Sequence, residues 1–143
     1  MSYWVVDASL AANTALNLSE SLERFWERIY QKRITPCAPR LWMIETTSAV
    51  RTYLAQEQIT ADEAQQALRT IHALRVEIID EDRALCIRAL ELAGMLAQSK
   101  AYDAFYLATA EKMEAEFWTA DERLYNRCKK DLGLEWIHWI NET

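Results

Sequence analysis

The chain has 143 residues, of which 51% are hydrophobic and 27% are charged, a composition typical of one globular domain with a single core. Its 16 basic and 22 acidic residues give a net charge of −6, which argues against nucleic-acid binding over the whole surface but allows local contacts. With only two glycines, the chain contains no glycine-rich phosphate-binding loop.

The first half of the chain alternates short apolar segments with helical patterns. YWVV (Tyr3–Val6) predicts a buried strand that ends at Asp7, and a helix is expected over residues 9–18. Ser19 is expected to cap a second helix that runs to residue 32. The segment ITPCAP (34–39) predicts a weak strand bounded by proline, and a long helix is expected to follow over residues 40–56.

The same alternation continues in the second half. Thr60 and Glu63 form a capping box that opens a helix ending near residue 74, and VEII (76–79) predicts a strand. Helices are expected over residues 82–98, 102–115 and 121–131, with the strand FWT before the last of them and a final strand EWIHWI at 135–140. Apolar strands that alternate with helices indicate a parallel sheet covered on both faces, in one three-layer α/β/α domain over residues 1–143.

Features that bear on location are few. Cys37, Cys86 and Cys128 lie far apart and lack the spacing of a metal site, which favours the reducing cytoplasm. The start, MSYWVVDAS, has no basic region before its apolar residues, so no signal peptide is expected. No run approaches the roughly 20 apolar residues that a membrane helix needs.

Two acids follow predicted strands directly. Asp7 comes after YWVV, and Asp121 comes shortly after FWT. In open parallel sheets, ligands bind outside the carboxyl ends of the strands, so both acids are candidates for chemistry. Each is equally well explained as a helix N-cap. Thr119 and Glu122 fit a capping box, which would leave Asp121 available for another role.

Two further acids occur within helical patterns. Glu45 shares a helix row with Leu41 and Ala49, beside a row that includes Ile44, so it interrupts a stripe expected to face the core. The alternative is a glutamate at the edge of that stripe that reaches water. Asp103 lies in the first turn of an apolar helix, where it either interacts with the helix dipole or points along the inward face.

If these four acids converged, they would repel one another. At about 4 Å and an effective dielectric near 20, each pair of like charges costs roughly 4 kcal/mol. Such a cluster requires protonation or a cation, and oxygen ligands without His or Cys select Mg²⁺ or Mn²⁺. Sequence spacing alone leaves open whether the four converge.

Four motifs carry a family resemblance: VVDAS (5–9), PRLWMIETTSAV (39–50), YDAFYLATAE (102–111) and WTADERL (118–124). In their order and separation they resemble the motifs of the PIN-domain family, and in particular the VapC-type toxins of bacterial toxin–antitoxin pairs. The resemblance implies a five-stranded parallel sheet in the order 3-2-1-4-5. That order would place the first and fourth strands side by side at the centre.

The resemblance also implies roles for individual residues. Four acids would together hold one or two Mg²⁺ or Mn²⁺ ions. They are Asp7, Glu45, Asp103 and Asp121. Ser9 and Thr119 match small hydroxyl residues common beside the metal and would orient ligands or waters. Ser48 stands where many members of the family have Asn, so its shorter side chain would make any polar contact with a shorter reach.

The implied activity is metal-dependent endoribonuclease cleavage of RNA phosphodiester bonds in the cytoplasm, by a homodimeric toxin with a cognate antitoxin. Substrate phosphates need positive charge nearby in an acidic protein. Arg40, Lys100 and Arg123 flank three of the motifs and are the candidates, although solvated surface charge explains them as well.

Other acidic-pocket folds and an interaction module are the alternatives to a nuclease. Phosphoaspartate receiver and haloacid-dehalogenase folds need paired acids near the first strand, and Asp7-Ala8-Ser9 does not supply them. A more serious alternative is an interaction module that mainly binds an antitoxin or a complex, with weak or no nuclease activity. The apolar faces of residues 22–29 and 61–74 would then contact the partner or a second subunit.

Overall fold

A parallel sheet forms the centre of the protein. The computed structural model describes residues 2–142, so Met1 and Thr143, the ends of the predicted domain, lie outside the described residues. The strands are β1 (Tyr3–Val6), β2 (Thr35–Pro39), β3 (Glu77–Ile79), β4 (Glu116–Thr119) and β5 (Ile137–Trp139). All neighbouring pairs are parallel and the order is β3-β2-β1-β4-β5, which confirms the expected topology.

Seven helices connect these strands within residues 2–142. They are α1 (Ala8–Leu16), α2 (Glu20–Lys32), α3 (Leu41–Ala55), α4 (Ala61–Ala73), α5 (Arg83–Met95), α6 (Tyr102–Met113) and α7 (Glu122–Leu132). Their type and order agree with the prediction, and most ends differ by one or two residues. The largest difference is at α5, which ends at Met95 and not at residue 98, before a turn where Ala97 has a φ of +53°.

The sheet separates two hydrophobic layers, as the predicted three-layer fold requires. Along β1, Val5 packs into one cluster while Trp4 and Val6 pack into the other, because successive side chains of a strand point to opposite faces. The first cluster contains the buried faces of α1, α3, α4, α5 and α6. The second is covered mainly by α2, whose Phe25 stacks on Trp4 at 5.7 Å between ring centroids.

The inward face of α3 differs from the one expected. Its buried row is Trp42, Thr46 and Val50, whereas Ile44 is 68% exposed. The expectation that Ile44 faces the core is therefore wrong, and the stripe lies about one residue further round the helix. Glu45 consequently lies at the edge of that stripe and is half-buried.

The helix caps expected from the sequence are present except for one capping box. Ser19 accepts the Leu22 amide at the start of α2, and the capping box of Thr60 and Glu63 opens α4. The capping box assigned to residues 119–122 is wrong, because Asp121 itself is the N-cap of α7. The Asp121 side chain therefore accepts hydrogen bonds from backbone amides of α7, in addition to any other role.

The topology places the ends of β1 and β4 next to each other. The Asp7 amide donates to the carbonyl of Trp118 at 3.3 Å, which extends the pairing of the two central strands one residue beyond the end of β1. The chain leaves the sheet here on both strands, and helices α1 and α7 begin at this edge. Within residues 2–142, no helix is both long and apolar enough to cross a membrane.

Candidate metal centre

All four predicted acids line one cleft at this edge of the sheet. The cleft has a volume of about 320 Å³, and residues from α1, α3, α6 and the two strand ends form its wall. Its acidic members are Asp7, Glu45, Asp103 and Asp121. The convergence that sequence spacing left open is thus present, since four separate segments each contribute one carboxylate.

Asp7 is the most buried of these carboxylates, with 6% of its surface exposed. Its Oδ1 accepts the Leu10 amide at 2.9 Å, which caps α1, and the Ser9 hydroxyl at 2.8 Å. Its Oδ2 accepts the hydroxyl of Thr119 from the neighbouring strand. Asp7 is therefore a helix cap and a cleft residue at the same time.

Thr119 joins the two strand-end acids. It is fully buried, donates its hydroxyl to Asp7, and accepts the backbone amide of Asp121 at 2.9 Å. The Oδ1 of Asp121 accepts the amides of Arg123 and Leu124 at 3.0 and 3.2 Å. Both aspartates thus reach the cleft from positions fixed by backbone hydrogen bonds.

Glu45 is held by a tyrosine of α6. The Tyr106 hydroxyl donates to Glu45 Oε1 at 2.7 Å. The tyrosine ring is 2% exposed and stacks on Phe117 of β4 with 5.9 Å between ring centroids, so the core fixes the donor. Tyr106 lies one helical turn after Asp103, inside the third motif, and that spacing is the signal by which it could have been found.

Asp103 is held from the loop that precedes α6. The Gln98 side-chain amide donates to Asp103 Oδ2 at 2.9 Å. The loop exists because α5 ends at Met95, whereas the prediction extended the helix to residue 98. Gln98 therefore falls inside the predicted helix and is not among the predicted site residues.

The pKa values of three of these acids are raised. Burial raises the pKa of Asp7 to about 6, although the bonds from Thr119, Leu10 and Ser9 lower it. Burial also raises the pKa of Glu45 and of Asp103, and the charge of each neighbouring carboxylate adds to the effect. Elevated carboxyl pKa values of this origin identify a site where negative charge is incompletely compensated.

Basic side chains do not neutralise the cleft. Within residues 2–142, none of the ion pairs includes any of the four acids. Arg127 lowers the pKa of Asp103 by its charge, but its guanidinium donates to the carbonyl of Leu96. The cleft therefore carries an excess of negative charge.

The donor set suits a hard divalent cation, since it consists of carboxylates and hydroxyls without His or Cys. Within residues 2–142, however, no group of three or more acidic, histidine or cysteine side chains is already arranged to hold an ion. The carboxylates share a cleft without a preformed ligand cage.

The other predicted residues fall into three places. Ser9 and Ser48 line the acidic cleft, and Lys100 lines a second cleft beside it. Arg123 is exposed on α7 next to Asp121. Arg40 lies in neither lining, and its guanidinium pairs with Asp80 at 3.0 Å and Glu81 at 3.4 Å, which weighs against a role in substrate binding.

A family model described as the PIN domain matches residues 5–130. The chain belongs to the PIN-domain family. PIN domains are generally nucleases and generally use divalent metal ions, in agreement with the acidic cleft. In this PIN domain the matched range contains all four carboxylates of the acidic cleft. No curated protein is similar enough in sequence to match it.

Solved structures with the same fold include toxin–antitoxin complexes. The PIN domain is similar to VapBC2 from Rickettsia felis bound to a promoter DNA fragment, with a TM-score of 0.69, 18% identity and coverage of 96% of this chain and 98% of that one. A toxin–antitoxin complex from Klebsiella pneumoniae is similar with a TM-score of 0.62 and 17% identity, over 97% of this chain and 98% of that one. VapBC-1 from nontypeable Haemophilus influenzae is similar with a TM-score of 0.59 and 14% identity, over 96% of each chain. At these identities the likeness establishes the fold.

Proposed function

We propose that this PIN domain is a metal-dependent endoribonuclease that hydrolyses RNA phosphodiester bonds. The observation that carries the proposal is the acidic cleft, in which four carboxylates converge without a basic partner among residues 2–142. A cluster of this kind is unfavourable in isolation and favourable when it holds a cation.

Mg²⁺ or Mn²⁺, as one or two ions, is the proposed cofactor. Asp7, Glu45, Asp103 and Asp121 would hold it. A bound divalent ion lowers the pKa of water and offsets negative charge that develops on a phosphate. The four carboxylates would bind the ion, and the open side of the cleft would admit the phosphate.

The surrounding side chains act by positioning. Thr119 and Ser9 occupy both oxygens of Asp7 and limit its rotation, while Tyr106 and Gln98 restrain Glu45 and Asp103. Outer partners of this kind orient ligands and tune their basicity. Ser48 lines the cleft and is exposed, so its short hydroxyl would contact substrate or water.

The test replaces carboxylates by isosteric amides. Asp7→Asn and Asp103→Asn should each abolish Mn²⁺-dependent cleavage of RNA by the purified protein. Asp82→Asn is the matched control, because Asp82 caps α5 through the Leu85 amide at 2.8 Å but lies outside the cleft. Full cleavage by both cleft variants would overturn the proposal.

We further propose that the protein is the toxin of a toxin–antitoxin pair, acts in the cytoplasm and forms a homodimer. The support is the likeness to VapBC complexes. Residues of α2 and α4 offer an antitoxin less apolar surface than the sequence suggested, since Phe25 and Ile71 are fully buried. What remains is a groove of about 430 Å³ between these helices, which includes the exposed ring of Tyr30.

Expression in a bacterial host separates this activity from a pure interaction module. Growth inhibition that disappears in Asp103→Asn, and that co-expression of the antitoxin relieves in the wild type, supports a nuclease toxin. Growth inhibition that persists in Asp103→Asn would favour an interaction module with weak or no nuclease activity. The molar mass of the purified protein by light scattering tests the homodimer.

A further inference from the structure

A second cleft opens beside the acidic one. It has a volume of about 410 Å³, within the range of roughly 300–1,000 Å³ found for small-molecule sites. Two of its lining residues, Glu45 and Asp103, also line the acidic cleft, so the two clefts are adjacent. The others come from the loop before α6 and its first turn and are Gln98, Ser99, Lys100 and Tyr102.

Tyr102 presents an aromatic ring to this cleft. It is the first residue of α6, it is 56% exposed, and it directly precedes Asp103. Within residues 2–142 its ring takes part in no aromatic pair and lies beneath no cationic side chain. Exposed aromatic rings beside a nucleic-acid path are platforms on which unpaired bases stack.

Lys100 supplies positive charge to the same cleft. Within residues 2–142 its ammonium forms no ion pair, whereas Arg40, Arg88 and Lys112 are all paired with acids. An unpaired lysine next to an acidic centre has a favourable partner in a phosphate group. The ring and the ammonium belong to residues only two positions apart in the chain.

Gln98 adds a hydrogen-bond acceptor. Its Nε2 is used by Asp103, but its Oε1 is buried and has no hydrogen-bond partner within residues 2–142. A buried acceptor without a partner costs free energy, so a donor from a ligand in this cleft would be favourable. A base amino group and the ribose 2′-hydroxyl are both donors of this kind.

We propose that this second cleft binds one unpaired nucleotide adjacent to the scissile phosphate, with its base stacked on Tyr102 and a phosphate held by Lys100. The inference rests on the proposed nuclease function. It specifies the substrate further: the RNA must be single-stranded beside the cleaved bond, because the faces of a base inside a duplex are already covered.

The first experiment measures binding without cleavage. Single-stranded oligoribonucleotides are titrated by fluorescence anisotropy against Asp7→Asn protein that also carries a cleft substitution. Tyr102→Ala should weaken binding on the order of tenfold, the size expected for loss of one stacked base, whereas Tyr102→Phe should retain it. Tyr30→Ala is the matched control, since Tyr30 is 76% exposed in a different groove.

The second experiment locates the base. An abasic nucleotide is moved along the oligonucleotide, and at one position Tyr102→Ala should cause no further loss. This cycle distinguishes stacking from damage to the neighbouring Asp103, which would weaken binding at every abasic position equally. Lys100→Ala should reduce the slope of log affinity against log salt by about 1. Lys130→Ala, a control on the exposed side of α7, should not.

The outcomes separate this inference from the proposed function. Equal effects of Tyr102→Ala and Tyr30→Ala, the absence of a compensating abasic position, or equal affinity for duplex and single strand would each overturn the nucleotide subsite. If wild-type protein cleaves RNA with Mn²⁺ and Tyr102 has no effect, the nuclease stands and the subsite fails. If binding depends on Tyr102 but no metal-dependent cleavage occurs, the subsite stands and the nuclease fails.

Discussion

The Tyr106 hydroxyl donates to Glu45 Oε1 at 2.7 Å, across 61 positions of sequence, and thereby fixes the acid of α3 to the helix that carries Asp103. The tyrosine is itself held in the core by stacking on Phe117 of β4. Glu45 is therefore the one carboxylate of the cleft whose position depends on a single side chain from a distant segment. That dependence can be tested by removing one oxygen atom.

Tyr106→Phe should weaken Mn²⁺ binding about 10- to 100-fold, the usual effect of removing an outer partner of a metal ligand. The ring and its stacking remain, so the fold should persist. Binding is measured by calorimetry and by the electron paramagnetic resonance signal of free Mn²⁺. Tyr125→Phe is the control, because it removes a phenol–carboxylate bond to Glu142 outside the cleft. Unchanged Mn²⁺ affinity in Tyr106→Phe would show that this hydrogen bond does not position Glu45.

The stability of the metal-free protein should depend on pH through the charge of Asp7. Burial raises the pKa of Asp7 from 3.8 to about 6 in the folded state, so between these values the folded protein binds a proton that the unfolded chain does not. The contribution of this group to stability is therefore present at low pH and is lost as pH rises through about 6. Above that pH the buried charge is destabilising.

Relative to wild type, Asp7→Asn should accordingly raise the free energy of unfolding of the metal-free protein more at pH 7.5 than at pH 4. The change between these two pH values should be on the order of 2–3 kcal/mol. The measurement is the free energy of unfolding of variant and wild type in urea, with chelator, across this pH range. A constant offset from the altered bond to Thr119 does not change with pH. Asp82→Asn should show no such trend. A difference between Asp7→Asn and wild type that is flat in pH would contradict the assignment.

Metal binding should depend on pH in the opposite sense. Because a ligand carboxylate must be deprotonated, Mn²⁺ binding near pH 6 should release a proton from Asp7, and affinity should fall as pH decreases below about 6. Calorimetry in two buffers of different ionisation enthalpy measures the release directly. Proton release should vanish near pH 8. Affinity that is constant between pH 5 and 8 would exclude Asp7 as a ligand.

The sequence predicted the fold well because strands and helices depend on local patterns. It also found all four acids, but only family resemblance placed them together, since the contacts between β1, α3, α6 and β4 are distant in sequence. From the sequence, a helix cap and a cleft ligand are alternative roles for Asp7 and Asp121, whereas in the structure both residues cap a helix and line the cleft. A cap uses a carboxylate at a helix start, and in a parallel sheet that start is also the ligand-binding edge.

What the sequence could not supply were the partners that position the acids. Periodicity placed the stripe of α3 about one residue away from its true position, which made Ile44 appear inward. The end of α5 depends on the left-handed backbone conformation of Ala97, which cannot be predicted from the sequence because this conformation is uncommon for residues other than glycine. The sequence pattern therefore places Gln98, which follows it, in the helix and not in the site.

The hydroxyl of Thr119 offers a final test of how the two strand-end acids are coupled. This buried threonine donates to Asp7 and accepts the Asp121 amide, so Thr119→Val leaves both groups without that partner while conserving shape. Loss of a bond to the charged carboxylate should raise the pKa of Asp7 further, and the pH midpoint of Mn²⁺ binding should move above about 6. Stability at pH 7.5 should fall by about 1–3 kcal/mol.

Thr109→Val provides the matched control. Thr109 is equally buried, but its hydroxyl donates at 2.7 Å to the carbonyl of Phe105 within its own helix, away from the strand-end acids. It should alter stability without moving the pH midpoint of Mn²⁺ binding. A midpoint shifted equally in Thr119→Val and Thr109→Val would mean that general loosening of the fold, and not the hydrogen bond to Asp7, controls proton and metal binding. A shift confined to Thr119→Val assigns that control to the hydroxyl between β1 and β4.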